Sequence, residues 1–204
     1  MSLAAAQRLP VVIDEMTSAE DALAFRELNE EWITLLFSLE DADRALLNDP
    51  AGRIQGVGGV VLIARLGEER VGCVAVLPTG NGVYELSKMA VSPAVRNRGL
   101  GRSLILAAID TARRLGAASL FLGSSTKLPS AVHLYESVGF THVPAERIGP
   151  MPYERADVHG AGALAGTCRK GRIRAIFAGM ACRGNRTDQC TLFATGPSPT
   201  LPSA

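Results

Sequence analysis

Between residues 83 and 115 the apolar pattern changes period across one short loop. Val83 to Val91 reads as a strand, entered through an Asn81-Gly82 turn. Beyond Gly99 the stripe Leu100, Leu104, Ala108, Ala112 and Leu115 is helical, and Gly116 closes it. A short apolar strand, Ala118 to Leu122, comes next. A helix from Ser130 to Val138 follows, and then a strand from Phe140 to Val143. A helix set between short apolar strands is the βαβ signature, so part of the sheet must be parallel.

Upstream the pattern favours antiparallel pairing. Val11 to Met16 suits an edge strand, and Ser18 can cap the helix that follows, with Asp21 three residues on. Phe25, Leu28, Trp32, Leu35, Leu36 and Leu39 recur at helical spacing, which predicts an amphipathic helix from Ala19 to Ser38. A shorter helical piece, Glu40 to Leu47, is stopped by Pro50. Gly58 to Arg65 and Arg70 to Leu77 form a plausible hairpin through Leu66 to Glu69. The expected fold is mixed α/β with an antiparallel first half.

With 204 residues, 47% hydrophobic and 20% charged, the chain can bury a domain-sized core, which excludes global disorder. No apolar stretch approaches the roughly 18 residues of a membrane helix, and the start lacks a secretion signal. Neither a membrane nor a secretory role is expected, and a cytoplasmic location is. The net charge is +1, but it is unevenly spread. From Gly160 onward six basic residues face one acidic residue, leaving 15 basic and 19 acidic before it. Composition changes at the same point: Gly160 to Gly166 has no strand propensity, and three of the four cysteines, Cys168, Cys182 and Cys190, follow. Their spacings do not form a metal site, so no metal is expected. The expected division is a folded domain over 1–159 and a Gly/Ala-rich, basic, partly disordered tail over 160–204. The tail has neither a recognition helix nor an aromatic platform, so nucleic acid is not an expected partner.

The strongest chemical signal is Val91-Ser92-Pro93-Ala94-Val95-Arg96-Asn97-Arg98-Gly99-Leu100-Gly101-Arg102. A strand-to-helix junction leaves backbone N–H groups aimed at one point, and the helix dipole adds positive charge there. Gly99 and Gly101 let a ligand approach the main chain, and three arginines surround them. A phosphate-bearing ligand is the direct inference. Gly101-Arg102-Ser103 does not complete a Walker A loop. A dinucleotide fingerprint would require an acid after the next strand, where Gly123 stands.

Arg96-Asn97-Arg98-Gly99-Leu100-Gly101 resembles the acyl-coenzyme A pyrophosphate loop of the GCN5-related N-acetyltransferase (GNAT) family. Glu85 to Pro93 resembles that family's central strand, and Ser130 to Phe140 its later helix with a closing Gly-Phe. The resemblance spans roughly Val11 to Val143. It implies a mostly antiparallel sheet with a splayed parallel pair at its centre, flanked by helices. It also implies acetyl-CoA as cosubstrate, running along Lys88, Met89, Ala90 and Val91 with its pyrophosphate on the amides of Arg96, Asn97, Arg98, Gly99, Leu100, Gly101 and Arg102. Glu85 is the candidate base for the acceptor amine. Tyr135 is the candidate acid for the departing thiolate. Ser125 and Lys127 are candidate cofactor-side groups, and Trp32, Phe37 and Arg44 are candidate acceptor contacts.

The acceptor expected is a primary amine of a small molecule or amino acid-like compound, with Arg44 placed to hold a carboxylate. A protein or peptide amine and a non-catalytic acyl-CoA-binding module are the alternatives. A homodimer is left open. Tyr153 to His159 resembles the start of the family's last strand, whose apolar continuation is missing here, which puts the acceptor site in question.

Overall fold

The computed structural model of the chain describes residues 10–144 and 155–164, all within the unit Met1–Ala165. Expectations placed on 1–9, 145–154 and 165–204, including the basic cluster and its three cysteines, lie outside the described residues. The elements in chain order are β1 (Val11–Glu15), α1 (Ala19–Leu36), α2 (Asp41–Asn48), α3 (Pro50–Arg53), β2 (Val60–Leu66), β3 (Glu69–Gly80) and β4 (Val83–Val91). They are followed by α4 (Leu100–Arg114), β5 (Ser119–Ser124), α5 (Pro129–Ser137), β6 (Thr141–His142) and β7 (Val158–Ala163).

One seven-stranded sheet runs β1-β2-β3-β4-β5-β7-β6. Every pairing is antiparallel except β4 with β5, which is parallel from Val83↔Ser119 to Leu86↔Leu122. The turn between β3 and β4 places Asn81 at φ 53° and Gly82 at φ 72°, the paired positive values that suit a tight hairpin. The central strands are buried on both faces, which is why β2 and β3 read as continuous apolar runs. Leu62, Val74, Leu86 and Leu120 pack with Leu104 and Ile105 of α4 on one face. Val61, Ile63 and Cys73 pack with Phe25 and Ile33 of α1, Leu47 of α2 and Ile54 on the other.

Two features depart from the sequence expectation. In α1 the buried stripe is Asp21, Phe25, Asn29 and Ile33, not the stripe ending in Leu35 and Leu36. Two polar residues can occupy that face because each is fully engaged. Asp21 accepts from Arg65 and Arg70, at 2.7 and 2.8 Å. Asn29 donates to the Phe25 carbonyl and to Cys73 Sγ, and accepts from Trp32 Nε1. Leu35 and Leu36 are left 74% and 45% exposed at the end of the helix.

The second departure is the Gly-Ala run, which forms a strand after all. β7 pairs with six residues of β5 and with both residues of β6, and the Leu164 amide donates to Ala118 O. A Cβ at Gly160 would lie 3.5 Å from Phe140 Cβ and 3.6 Å from Leu122 Cδ1, at ordinary contact distance, so β7 packs beside Phe140 without crowding. Tertiary pairing overrides the weak propensity. The Phe140 segment therefore keeps a neighbour, and ordered strand continues past His159.

Candidate active site

The site begins with an irregularity in β4. The β3–β4 register runs Leu77↔Glu85, Val76↔Leu86 and Ala75↔Ser87, then shifts so that Cys73 faces Ala90. This is a β-bulge, with Lys88 at φ 50°. It reverses the facing of the strand. Leu86 packs toward α4, but Ala90 belongs to the core beneath α1, and Met89 and Val91 turn to the α4 side. Simple alternation therefore holds only as far as Ser87. The bulge also ends the parallel ladder, since the last β4–β5 pair is Leu86↔Leu122. Beyond it the strands part, and a cleft of about 710 Å³ opens between them.

At one end of the cleft stands the loop before α4. Gly99 is the N-cap residue at φ 81°, and Asn97 has φ 61°. No side chain caps the helix among the described residues, so the first-turn amides are turned outward. The two glycines serve different ends. Gly99 supplies a left-handed turn that L side chains rarely adopt, whereas a Cβ on Gly101 would meet Leu134 Cδ2 at 3.0 Å. Leu100 is 5% exposed and belongs to the core, as expected. Arg96 Nε donates to Val91 O, and Arg102 Nη1 reaches Ser137, so both side chains brace the loop while carrying charge. Arg98 is exposed and lies outside the cleft lining.

Tyr135, on α5, lines the cleft. Its ring meets Phe140 edge-on, with centroids 6.1 Å apart. Burial pushes its phenol up to about 12, so the hydroxyl stays protonated across the physiological range.

The other end is built of side chains. Glu85, Ser87 and Lys88 line it from β4, Trp32 and Phe37 from the end of α1, and Arg155 from the segment before β7. Asp43 of α2 is completely buried and binds two cations: Lys88 Nζ at 2.7 Å, and both terminal nitrogens of Arg155. Arg155 also donates to Glu40 at 2.8 Å, and Asp43 accepts from the Glu40 amide. Burial works against the Asp43 charge, but its bonds to Arg155 and Lys88 prevail and its carboxyl lies below the usual range. Burial likewise depresses the Lys88 ammonium, with Asp43 opposing the shift. At Glu85 burial raises the carboxyl, partly offset by hydrogen bonding with Ser87 and by the Lys88 charge. A raised carboxyl is a better proton acceptor.

Most of the expected site residues are brought together: Glu85, Tyr135, Met89, Ala90, Val91, Trp32 and Phe37 share the cleft with the glycine loop. Arg98 and Arg44 do not line the cleft, and Lys127 lines it beside Phe37. Arg44 is exposed on α2 and does not line the cleft; the helix turns Asp43 inward instead. Lys127, assigned by resemblance to the cofactor side, holds its ammonium 5.3 Å from the centre of the Phe37 ring. Ser125 is 3% exposed and its hydroxyl accepts from the Lys127 amide. Asp157 accepts from the Thr126 amide and hydroxyl, fixing the same loop. The side chains of Ser87, Lys88 and Arg155 were missed. A lone lysine in an apolar strand was the available signal for Lys88; nothing local marks Arg155.

The fold and cleft are those of an α/β protein that receives an extended ligand between splayed parallel strands. Residues 22–140 match the model of the Acetyltransferase (GNAT) family. An uncharacterized N-acetyltransferase of Schizosaccharomyces pombe is 30% identical over 149 residues, covering 70% of this chain and 90% of that protein. Among solved structures, a GNAT-family acetyltransferase from Staphylococcus aureus Mu50 superposes with a TM-score of 0.69 at 19% identity, covering 76% of this chain and 99% of that one. A Bacillus subtilis acetyltransferase in complex with CoA gives 0.57 at 20% identity, covering 76% and 99%. The chain belongs to the GNAT family of acetyltransferases, and as a member it is an acyl-CoA-dependent N-acyltransferase with acetyl-CoA as cosubstrate.

Proposed function

We propose that the chain transfers the acetyl group of acetyl-CoA to a primary amine of a small, amino acid-like acceptor. The observation that carries this reading is one continuous cleft whose lining includes the glycine loop, Tyr135 and Glu85. The pyrophosphate rests on the outward-turned amides of the α4 N-terminus. The pantetheine arm follows the β4 backbone beyond Leu86, where the ladder to β5 has ended.

The acceptor arrives mostly as an ammonium ion, and Glu85 takes the proton directly or through water. The free amine forms a bond to the thioester carbonyl carbon. The carbon–sulfur bond then breaks, and the coenzyme A thiolate takes a proton from the Tyr135 hydroxyl. The second proton of the acylated nitrogen passes through water to the Tyr135 phenolate, and Glu85 releases its proton to solvent. Tyr135 arrives protonated, although the rise caused by burial makes its phenol a weaker acid than an exposed tyrosine. Cys73 is no rival nucleophile: it is fully buried, and burial raises its thiol to about 12.

The test is thiol release from acetyl-CoA across amines, amino acids, polyamines, aminoglycosides and short peptides, with acetyl-CoA binding followed by calorimetry. Turnover of small amines supports the reading. Selective turnover of peptides would move the acceptor to a protein, and cofactor binding with no turnover would make the chain an acyl-CoA-binding module.

A further inference from the structure

Six charged side chains gather around the Glu85 end of the cleft, and four of them pair among themselves. Asp43 and Glu40 bind Arg155, and Asp43 binds Lys88. The remaining two are Glu85 and Lys127. Lys127 makes no ion pair among the described residues; its ammonium rests on the Phe37 ring, which also lies beneath the Arg155 guanidinium, 6.0 Å away. A ring face positions a cation without neutralising it. Around these two charges the wall is apolar: Trp32 and Phe37 stand edge to face, and the exposed Leu35 and Leu36 line the same cleft.

We propose that the acceptor is an amine bearing one carboxylate and an apolar side chain, and that Lys127, held on Phe37, receives the carboxylate. This deepens the reading in which Glu85 faces the amine. The ammonium of a zwitterion then meets Glu85, and its carboxylate meets Lys127, which makes no ion pair among the described residues. One carboxylate is matched by one ammonium. A dianionic phosphate would leave a negative charge unmatched beside Glu85 in a partly apolar cleft, which is costly.

The experiment pairs L-leucine, L-phenylalanine and L-methionine with their carboxamides. Binding to the CoA-loaded protein is measured by calorimetry, and turnover by thiol release, for the wild type, Lys127→Gln and Lys127→Arg. The carboxylate of at least one pair is expected to be preferred about tenfold, the scale of one uncompensated charge contact, with the preference lost in Lys127→Gln and kept in Lys127→Arg. A preference that survives Lys127→Gln, or one for the carboxamides, overturns the proposal. So does a loss of acetyl-CoA affinity in Lys127→Gln that matches the loss for the carboxylate, because Lys127 would then serve the cofactor. If no amino carboxylate binds at millimolar concentration while other amines are acetylated, this proposal fails and the transfer reading stands. Lys127-dependent binding with no turnover of any amine would uphold this site and defeat the transfer reading.

Discussion

At the α4 end of the cleft the groups that face a ligand are main-chain amides, set by a turn at Gly99 and a close approach at Gly101. At the α2 end they are side chains that hold one another in place: Arg155 reaches Glu40 and Asp43 across more than a hundred positions, and Lys88 reaches Asp43 across 45. A site made of backbone is defined by a dozen consecutive residues and tolerates change in most side chains. A site made of a buried ion network depends on every member, since removing one partner leaves a charge uncompensated. In the proposed reading the constant ligand of the family takes the first end and the unassigned acceptor the second. Substitutions can show whether the two ends are as separable as this contrast implies.

The largest effect is expected at Glu85. Glu85→Gln removes the base and should lower kcat/KM by about 10²- to 10⁴-fold while leaving acetyl-CoA affinity nearly unchanged. In the wild type the acidic limb should lie above the ordinary 4.5, because burial raises this carboxyl, and the limb should vanish in the variant. The sign for stability is opposite. A raised folded-state value means that stability present at low pH is lost as pH rises through it, so Glu85→Gln should melt higher than wild type at neutral pH. Lower activity with no gain in stability would mean that the carboxylate is not held against a burial cost.

Tyr135→Phe should come next, with kcat down about 10²-fold and cofactor affinity held. Because burial pushes the phenol up to about 12, any alkaline decline below pH 10 should persist in the variant. A smaller change is expected from Gly99→Val. The position has φ 81° and nothing within 4 Å of a new Cβ, so the strain falls on the turn and not on the core. Acetyl-CoA should bind about tenfold more weakly, with little loss of thermal stability. Equal losses for acetyl-CoA and for an acceptor would erase the distinction between the two ends.

The same contrast decides what could be read from the sequence. The α4 end was legible because its determinants are local: a strand, two glycines one residue apart and a helical stripe, all within residues 83 to 115. The bulge at Lys88 was not, because it depends on the register with β3 and leaves no local mark except one lysine in an apolar run. Arg44 was assigned to the acceptor when its neighbour Asp43 faces inward, a difference of one residue on a helix whose rotation is fixed by tertiary packing. The stripe of α1 was misread for the same reason. Asn29 and Asp21 look like solvated positions until Cys73, Arg65 and Arg70 arrive from other elements. β7 lacks strand propensity of its own and is a strand because β5 and β6 offer partners on both sides.

A control for all of these lies at the far end of the sheet, where another buried carboxylate has no part in the cleft. Asp21 is 1% exposed and is bound by Arg65, Arg70 and the Thr17 amide. Burial opposes its charge, but the bonds from Arg70, Thr17 and Arg65 together bring the carboxyl from an ordinary 3.8 down to about 2. A depressed value contributes stability that is fully present above the ordinary value and is lost as pH falls through the lower one. The contribution at neutral pH is about 2 kcal/mol, from roughly 1.4 kcal/mol per unit. Asp21→Asn should therefore lower unfolding free energy by about that amount at pH 7, and the gap from wild type should close between about pH 4 and pH 2 in urea titrations. At temperatures where both proteins are folded, kcat and both affinities should be unchanged, since the network joins β2, β3 and the start of α1 without touching the cleft lining. A change in acceptor KM in this variant would show that the α1 helix carries strain from its N-terminus to Trp32, and that the acceptor end extends farther than its own ion network.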